Sequence, residues 1–143
     1  MPVTTIVGGG GSIQLADVIG AIKGNIISGR YGAGAVVASV YESELTTTSA
    51  TVVLTHTPKS NGLYLVQGVI RVAVAATTMT ITVTYYDASG SQQTQTLINA
   101  VSEPIGDTPF SVVIPATTTG AINVNATAGT ANQAYVSAVI MAF

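Results

Sequence analysis

The sequence lacks cysteine and tryptophan altogether, and only 7 % of its 143 residues are charged. The absence of cysteine excludes disulfides, thiolate metal sites and cysteine nucleophiles. Four basic residues against six acidic ones give a net charge of −2, which excludes a nucleic-acid binder that works through phosphate contacts. A soluble domain ordinarily carries about 25 % charged residues. No apolar run reaches 18 residues, so we expect no membrane-spanning helix.

The sequence is instead rich in hydrophobic residues, at 48 %, and these must be buried inside the protein or against partners. Nine of the 15 glycines precede Ala35. From Val36 onward valine, isoleucine, threonine, alanine and tyrosine dominate. We therefore predict a glycine-rich N-terminal arm over residues 1–35 and a β domain over residues 36–143.

A strand pattern is clearest in Thr78–Tyr86, where threonine alternates with apolar residues. This period of two is typical of a strand with one buried and one polar face. A turn at Asp87–Ser91 and a returning strand follow. Eight such segments in about 105 residues predict an all-β fold, a jelly-roll-like β-sandwich of about eight strands. The predicted strands are Val36–Tyr41, Ala50–His56, Gly62–Ala75, Thr78–Tyr86, Gln92–Ile98, Phe110–Ile114, Ala121–Ala126 and Ala134–Phe143.

Two of these segments do not alternate. Gly62–Ala75 and Tyr135–Phe143 are apolar nearly throughout, which is typical of strands buried on both faces. One face of a two-layer sandwich normally meets water, so the simplest explanation is an interface with further copies of the chain. We predict a closed ring, a homotrimer. The predicted interface residues are Tyr64, Val66, Val69, Tyr135, Val139 and Met141.

The arm contains one helical pattern, with apolar residues at helical spacing, Ser12 as a candidate N-cap and Gly24 as a C-terminal glycine. Two interpretations stay open: the helix packs on the domain's own sheet, or it folds only on a partner. Arg30 and Tyr31 are either interface anchors or, for Arg30, an ion-pair partner of Asp17 or Glu42. The predicted partner-binding residues of the arm are Ile13, Leu15, Val18, Ile19, Ile22, Ile26, Ile27, Arg30 and Tyr31.

Few residues offer chemistry. A hydrolytic triad would need the single histidine, His56, beside a carboxylate such as Glu42 or Glu44 and an activated hydroxyl, and no local motif supports it. Gly24–Tyr31 has the glycine spacing of a phosphate loop but places Arg30 and Tyr31 where that motif needs lysine and a hydroxyl residue. We predict a protein that is not an enzyme, with no catalytic, metal or cofactor site.

Several segments together resemble a known family: Gly62-Leu63-Tyr64, the run Thr80–Asp87, the turn at Gly90 and the pair Gln93-Thr94. They are similar to the Thr/Val-rich β domains of tailed-bacteriophage virion proteins, in particular capsid decoration (cement) proteins and head or tail fibres. The resemblance covers roughly Gly62 to the C-terminus. It implies a jelly-roll-like trimer located in the virion. Its partner would be the major capsid protein or another virion protein, and no catalytic residue is implied.

An alternative function is a fibre or lectin-like module that binds a receptor or carbohydrate. Tyrosine rings would serve as its stacking platforms, and we would then expect them beside Asp and Asn on loops at one end of the domain. The candidate tyrosines are Tyr31, Tyr41, Tyr64, Tyr85, Tyr86 and Tyr135.

Overall fold

The computed structural model describes residues 34–143, and the compact unit within it is Val36–Ala142. The arm prediction falls on residues 1–35 and so lies outside the described residues, apart from its last two positions. Between Gly34 and Phe143 all regular structure is β, and no helix there is long and apolar enough to cross a membrane. The strands are β1 (Ala35–Glu44), β2 (Thr51–His56), β3 (Gly62–Val72), β4 (Thr77–Tyr86), β5 (Gln92–Glu103), β6 (Gly106–Ala116), β7 (Ile122–Ala128) and β8 (Ala134–Ala142).

The eight strands form two four-stranded sheets. Sheet I has the order β1-β8-β3-β6, and sheet II has the order β2-β7-β4-β5. Only β4 and β5 are neighbours both in sequence and in a sheet, so most connections cross between the sheets. This strand order is that of a jelly roll, in which two Greek keys wrap into a sandwich. The fold-class prediction is confirmed.

Alternation in the strands builds the core between the sheets. In β4, Met79, Ile81 and Val83 are fully buried, while the threonines between them face outward. In β7, Ile122 and Val124 do the same. Burying each such side chain contributes about 1.5–3 kcal/mol relative to leaving it in water. The inward side chains of both sheets therefore supply one continuous hydrophobic core.

The predicted turn after β4 is closed by the Asp87 carboxylate. It accepts hydrogen bonds from the backbone N–H of Ser89 at 2.9 Å and of Ser91 at 3.1 Å, and from the Ser89 hydroxyl at 2.6 Å. These bonds favour the ionised carboxylate, so the pKa of Asp87 is lowered, chiefly by the Ser89 hydroxyl. Gly90 has a φ of +82°, a conformation that favours glycine.

The strand boundaries differ from the sequence prediction by up to five residues. β1 ends at Glu44 rather than Tyr41, and β6 begins at Gly106 rather than Phe110. β3 ends at Val72 rather than Ala75. β5 continues past Ile98 to Glu103 across a register shift, and Ala100 takes a φ of +53° there. The Ala100 backbone N–H donates to Thr80 Oγ1 at 3.1 Å. Such an irregularity interrupts the alternation of apolar and polar residues by which a strand is recognised, so the strand predicted from the sequence ends too early.

Candidate functional site

The two strands that do not alternate, β3 and β8, lie side by side at the centre of sheet I. They pair in antiparallel register, with Gln67 opposite Val139 and Arg71 opposite Tyr135. Their outward side chains therefore form one continuous surface on the side of the sheet away from the core. That surface consists of Leu63, Leu65, Gln67, Val69, Arg71, Tyr135, Ser137, Val139 and Met141.

The outer side of sheet II has the opposite character. Its central strands, β4 and β7, present only threonine, asparagine and one tyrosine. Hydroxyl and amide groups are uncharged but form hydrogen bonds with water, so this side of the sandwich is suited to face solvent. The residues are Thr78, Thr80, Thr82, Thr84, Tyr86, Asn123, Asn125 and Thr127. The two outer faces of the sandwich thus differ sharply, and the face of sheet I is the candidate interaction surface.

The apolar side chains concentrate at one end of that face. Met141, Leu65 and Val113 lie in register across β8, β3 and β6. Leu63 lies next to this row, at 52 % exposure, and Val113 is 51 % exposed. We call these four residues the apolar patch. A contiguous apolar patch rimmed by polar groups is typical of a binding surface.

A cleft of about 800 Å³ lies beside the apolar patch, over the centre of sheet I. All four strands of the sheet contribute to its lining. The lining combines hydroxyl and amide groups with aliphatic side chains, one tyrosine and the buried Phe110, and it contains no Asp, Glu, Lys or Arg. The side chains that line it from the outer face are Ser39, Tyr41, Gln67, Val69, Pro109, Ser111, Ser137 and Val139.

A charged cluster occupies the other end of the face. Arg71 Nε donates to both carboxylate oxygens of Glu42, at 3.0 and 3.1 Å, and its Nη2 donates to Oε1 as well. The guanidinium carbon lies 4.6 Å from the centroid of the Tyr135 ring, in a cation–π contact. Glu42 has a φ of +52°, and its backbone N–H donates to Ser137 Oγ at 2.9 Å. The two charges therefore satisfy each other.

This ion pair predicts a specific response to acid. The hydrogen bonds from Arg71 lower the pKa of Glu42. In the unfolded chain a glutamate takes up its proton at about pH 4.3. The ion pair therefore stabilises the fold above that pH, and this stabilisation is lost as the pH falls toward the lowered pKa of the folded state. Glu42→Gln should therefore lower the urea midpoint near neutral pH. The further fall of the midpoint on acidification should be smaller in this variant than in wild type.

Urea midpoints measured at neutral pH and at about pH 3 for wild type, Glu42→Gln and Arg71→Gln test this. The urea midpoint of both variants should fall less than that of wild type on acidification, because each variant lacks the ion pair. An acid loss in Glu42→Gln as large as in wild type would contradict the role of the pair.

The structure divides the predicted interface residues between two locations. Val69, Tyr135, Val139 and Met141 lie on the outer face of sheet I, where their contact with another subunit stays a prediction. Tyr64 and Val66 are only 3 % and 0 % exposed and belong to the sandwich core, so these two are corrected. A continuous apolar run does not reveal which alternate residues point inward. The outward set, which the prediction missed, includes Leu63 and Leu65 of the same strand and Val113 of β6.

The predicted stacking tyrosines also separate. Tyr64 and Tyr85 lie in the core and cannot serve as platforms. Tyr86 faces outward on sheet II, and Tyr135 lies against Arg71. Tyr41, at 85 % exposure, lines the cleft on a sheet face rather than a loop cluster at the end of the domain. Tyr31 and the other predicted arm residues from Ile13 to Arg30 lie outside the described residues.

Among residues 34–143, His56 forms no ion pair with a carboxylate, as a hydrolytic triad would need. It ends β2 with its ring centroid 6.0 Å from that of Tyr64, and partial burial followed by the nearby charge of Lys59 lowers its pKa. Glu42 is engaged by Arg71 instead. Within residues 34–143 no three His, Asp or Glu side chains come together in a way that could hold a metal.

Comparisons with known proteins bear on the fold. No protein-family model matches the chain, and no curated protein matches it. A chain of the infectious bursal disease virus Gx strain is 14 % identical with a TM-score of 0.52, covering 76 % of this chain and 31 % of that one. The same virus's VP2 subviral particle gives 11 % identity and a TM-score of 0.48, covering 76 % and 32 %.

A further solved structure is the CBM22-1 xylan-binding domain from Paenibacillus barcinonensis Xyn10C. It is 15 % identical with a TM-score of 0.44, covering 77 % of this chain and 96 % of that domain. The chain spans about a third of the length of the virus chains it matches. At such identities a likeness speaks for the fold alone. The chain thus has a jelly roll of the kind that viral capsid proteins also contain.

Proposed function

We propose that this chain is a structural protein of a virus particle, specifically a decoration protein that stabilises the capsid of a tailed bacteriophage. In this proposal copies of the chain associate through the apolar patch of sheet I into a closed homo-oligomer, a trimer. The N-terminal arm docks on a neighbouring subunit or on the major capsid protein. The proposal assigns no catalytic residue.

The observation that carries the proposal is the contrast between the two outer faces. The polar face of sheet II is suited to water, whereas the apolar patch on sheet I leaves leucine, valine and methionine half-exposed in the single chain. Covering each of these side chains gains on the order of 1 kcal/mol. Charge is depleted at buried interface cores, and the one charged side chain on the outward sides of β3 and β8 is Arg71, at the opposite end of the face.

The viral part of the proposal draws on two further supports. The jelly roll matches the fold of a virus structural chain, and the Thr/Val-rich strands resemble phage decoration and fibre proteins. A decoration protein acts by repetition, because each weak contact recurs at every lattice position and avidity multiplies it. A chain with few charges and a large apolar face suits such a part.

Deleting residues 1–35 tests this function. Phage capsids that lack the chain would be incubated with the full-length protein or with residues 36–143, then heated while genome release is followed with a DNA-binding dye. We expect the full chain to raise the release temperature and the truncated chain to raise it far less, since the arm provides attachment. Equal protection by both proteins would overturn the role of the arm. No binding of the full chain to capsids would overturn the decoration function.

A further inference from the structure

We propose that the cleft over the centre of sheet I is a binding site for a neutral oligosaccharide. This goes beyond the proposed structural function, because it gives the protein a ligand other than its own assembly. The inference rests on three features of the cleft: its size and frame, its one exposed aromatic ring, and the chemistry of its polar groups.

The cleft has the dimensions and the frame of a ligand site. Its volume of about 800 Å³ falls within the range of small-molecule sites in proteins. Its lining comes from β1, β8, β3 and β6, four hydrogen-bonded strands rather than loops. A sheet holds its side chains at fixed spacing, so the site is formed before any ligand arrives and binding costs little ordering.

Tyr41 supplies the aromatic platform. It is 85 % exposed on the edge strand β1 and lines the cleft. A tyrosine ring has a large apolar face and a polar tip, and it seeks a partner that offers both C–H groups and hydroxyls. The face of a pyranose ring presents axial C–H groups, and hydroxyls surround it, so it matches this side chain.

The remaining lining matches the hydroxyls of a sugar. Gln67 lies opposite Ser111 in the register of β3 and β6, and Ser39 and Ser137 complete a set of groups that both donate and accept. Ser137 accepts from the backbone N–H of Glu42 and can still donate its own proton. Sugar hydroxyls likewise donate and accept. Aliphatic side chains such as Val69 lie between these groups and can contact sugar C–H groups.

The absence of charge in the lining selects a neutral ligand. No Asp, Glu, Lys or Arg lines the cleft, and the nearby Glu42 and Arg71 are paired with each other. A sialylated or phosphorylated ligand would lose its hydration shell without gaining a counter-charge. A purely aliphatic ligand is also disfavoured here, because it would leave the Gln67 amide and the serine hydroxyls without partners.

The test is isothermal titration of the full-length protein with cellohexaose, maltohexaose, mannohexaose and chitohexaose, with hexagalacturonic acid as the anionic comparison. We expect saturable binding of at least one neutral hexasaccharide and none of the anionic one. Tyr41→Ala should weaken that binding by about tenfold or more, since aromatic anchors dominate such sites. Tyr41→Phe should retain it, because the ring face remains. Gln67→Ala should also weaken binding, although the Tyr41 ring remains in place.

Light scattering on the same samples reports the solution mass of each variant, so a change in assembly is not mistaken for loss of the site. The inference would be overturned if none of the four neutral sugars bound at concentrations up to about 5 mM, because a weaker affinity is too low for specific recognition. Preference for the anionic sugar would also overturn it, as would wild-type affinity in Tyr41→Ala. The proposed oligomer contact is the apolar patch beside the cleft, so none of these results decides whether the oligomer forms.

Discussion

Replacing Leu65 with glutamate is expected to convert the solution oligomer of this chain into monomers. Leu65 is the central member of the row Met141–Leu65–Val113, so a carboxylate there would lie in the middle of the proposed contact. Burying an unpaired charge against apolar side chains costs several kcal/mol, and every subunit of a closed oligomer carries the change. A dissociation constant raised by on the order of a thousandfold per contact follows from a penalty of about 4 kcal/mol.

Thr82→Glu is the matched control for this experiment. Thr82 occupies the same kind of position, half-exposed at the centre of the outer face of sheet II, and Asn125 and Thr96 flank it in register. Thr82→Glu introduces the same side chain as Leu65→Glu, but on the face that we assign to solvent. Light scattering after size-exclusion chromatography should give the wild-type mass for Thr82→Glu and the monomer mass for Leu65→Glu. If Leu65→Glu keeps the wild-type mass, the apolar patch is not the contact.

Gly68→Ala is expected to be the most destabilising small change on sheet I. A Cβ at Gly68 would overlap the backbone carbonyl oxygen of Ser137 and approach Phe110 Cζ to 2.6 Å. The aromatic ring can shift, but the carbonyl belongs to the β3–β8 ladder and cannot move without breaking it. Overpacking of this kind costs on the order of 3 kcal/mol. The close approach of β3 and β8 thus depends on a residue without a side chain.

Gly62→Ala provides the comparison within the same strand. A Cβ at Gly62 has nothing within 4 Å, and its φ is not in the left-handed region. Alanine also restricts the unfolded chain more than glycine does, so this change should be neutral or should stabilise by a few tenths of a kcal/mol. Urea denaturation would measure both variants. Equal midpoints for Gly68→Ala and Gly62→Ala would show that the close approach at Gly68 is not a constraint.

Much of the fold follows from alternation in the sequence. The threonine face of β4 identifies both its strand character and its outward side, because apolar and polar residues separate cleanly there. The same rule fails in β3, where the outward residues Leu63, Leu65 and Val69 are as apolar as the inward ones. The phase of that strand, and with it the burial of Tyr64 and Val66, is set by pairing with strands distant in sequence.

The candidate site was less accessible to prediction for the same reason. The cleft gathers Ser39, Gln67, Ser111 and Ser137 from four strands, and no local pattern connects them. The Glu42–Arg71 pair joins residues 29 positions apart and depends on a left-handed residue within β1. What the sequence does indicate is two strands that are apolar nearly throughout, and the structure places them side by side as β3 and β8 at the centre of sheet I.

The most direct test of this account is the solution mass of the full-length chain, measured by light scattering without any capsid or ligand present. The account predicts a closed oligomer of three subunits, because the apolar patch of sheet I is covered by further copies. A chain that remains a monomer of 143 residues at high micromolar concentration would contradict the central claim.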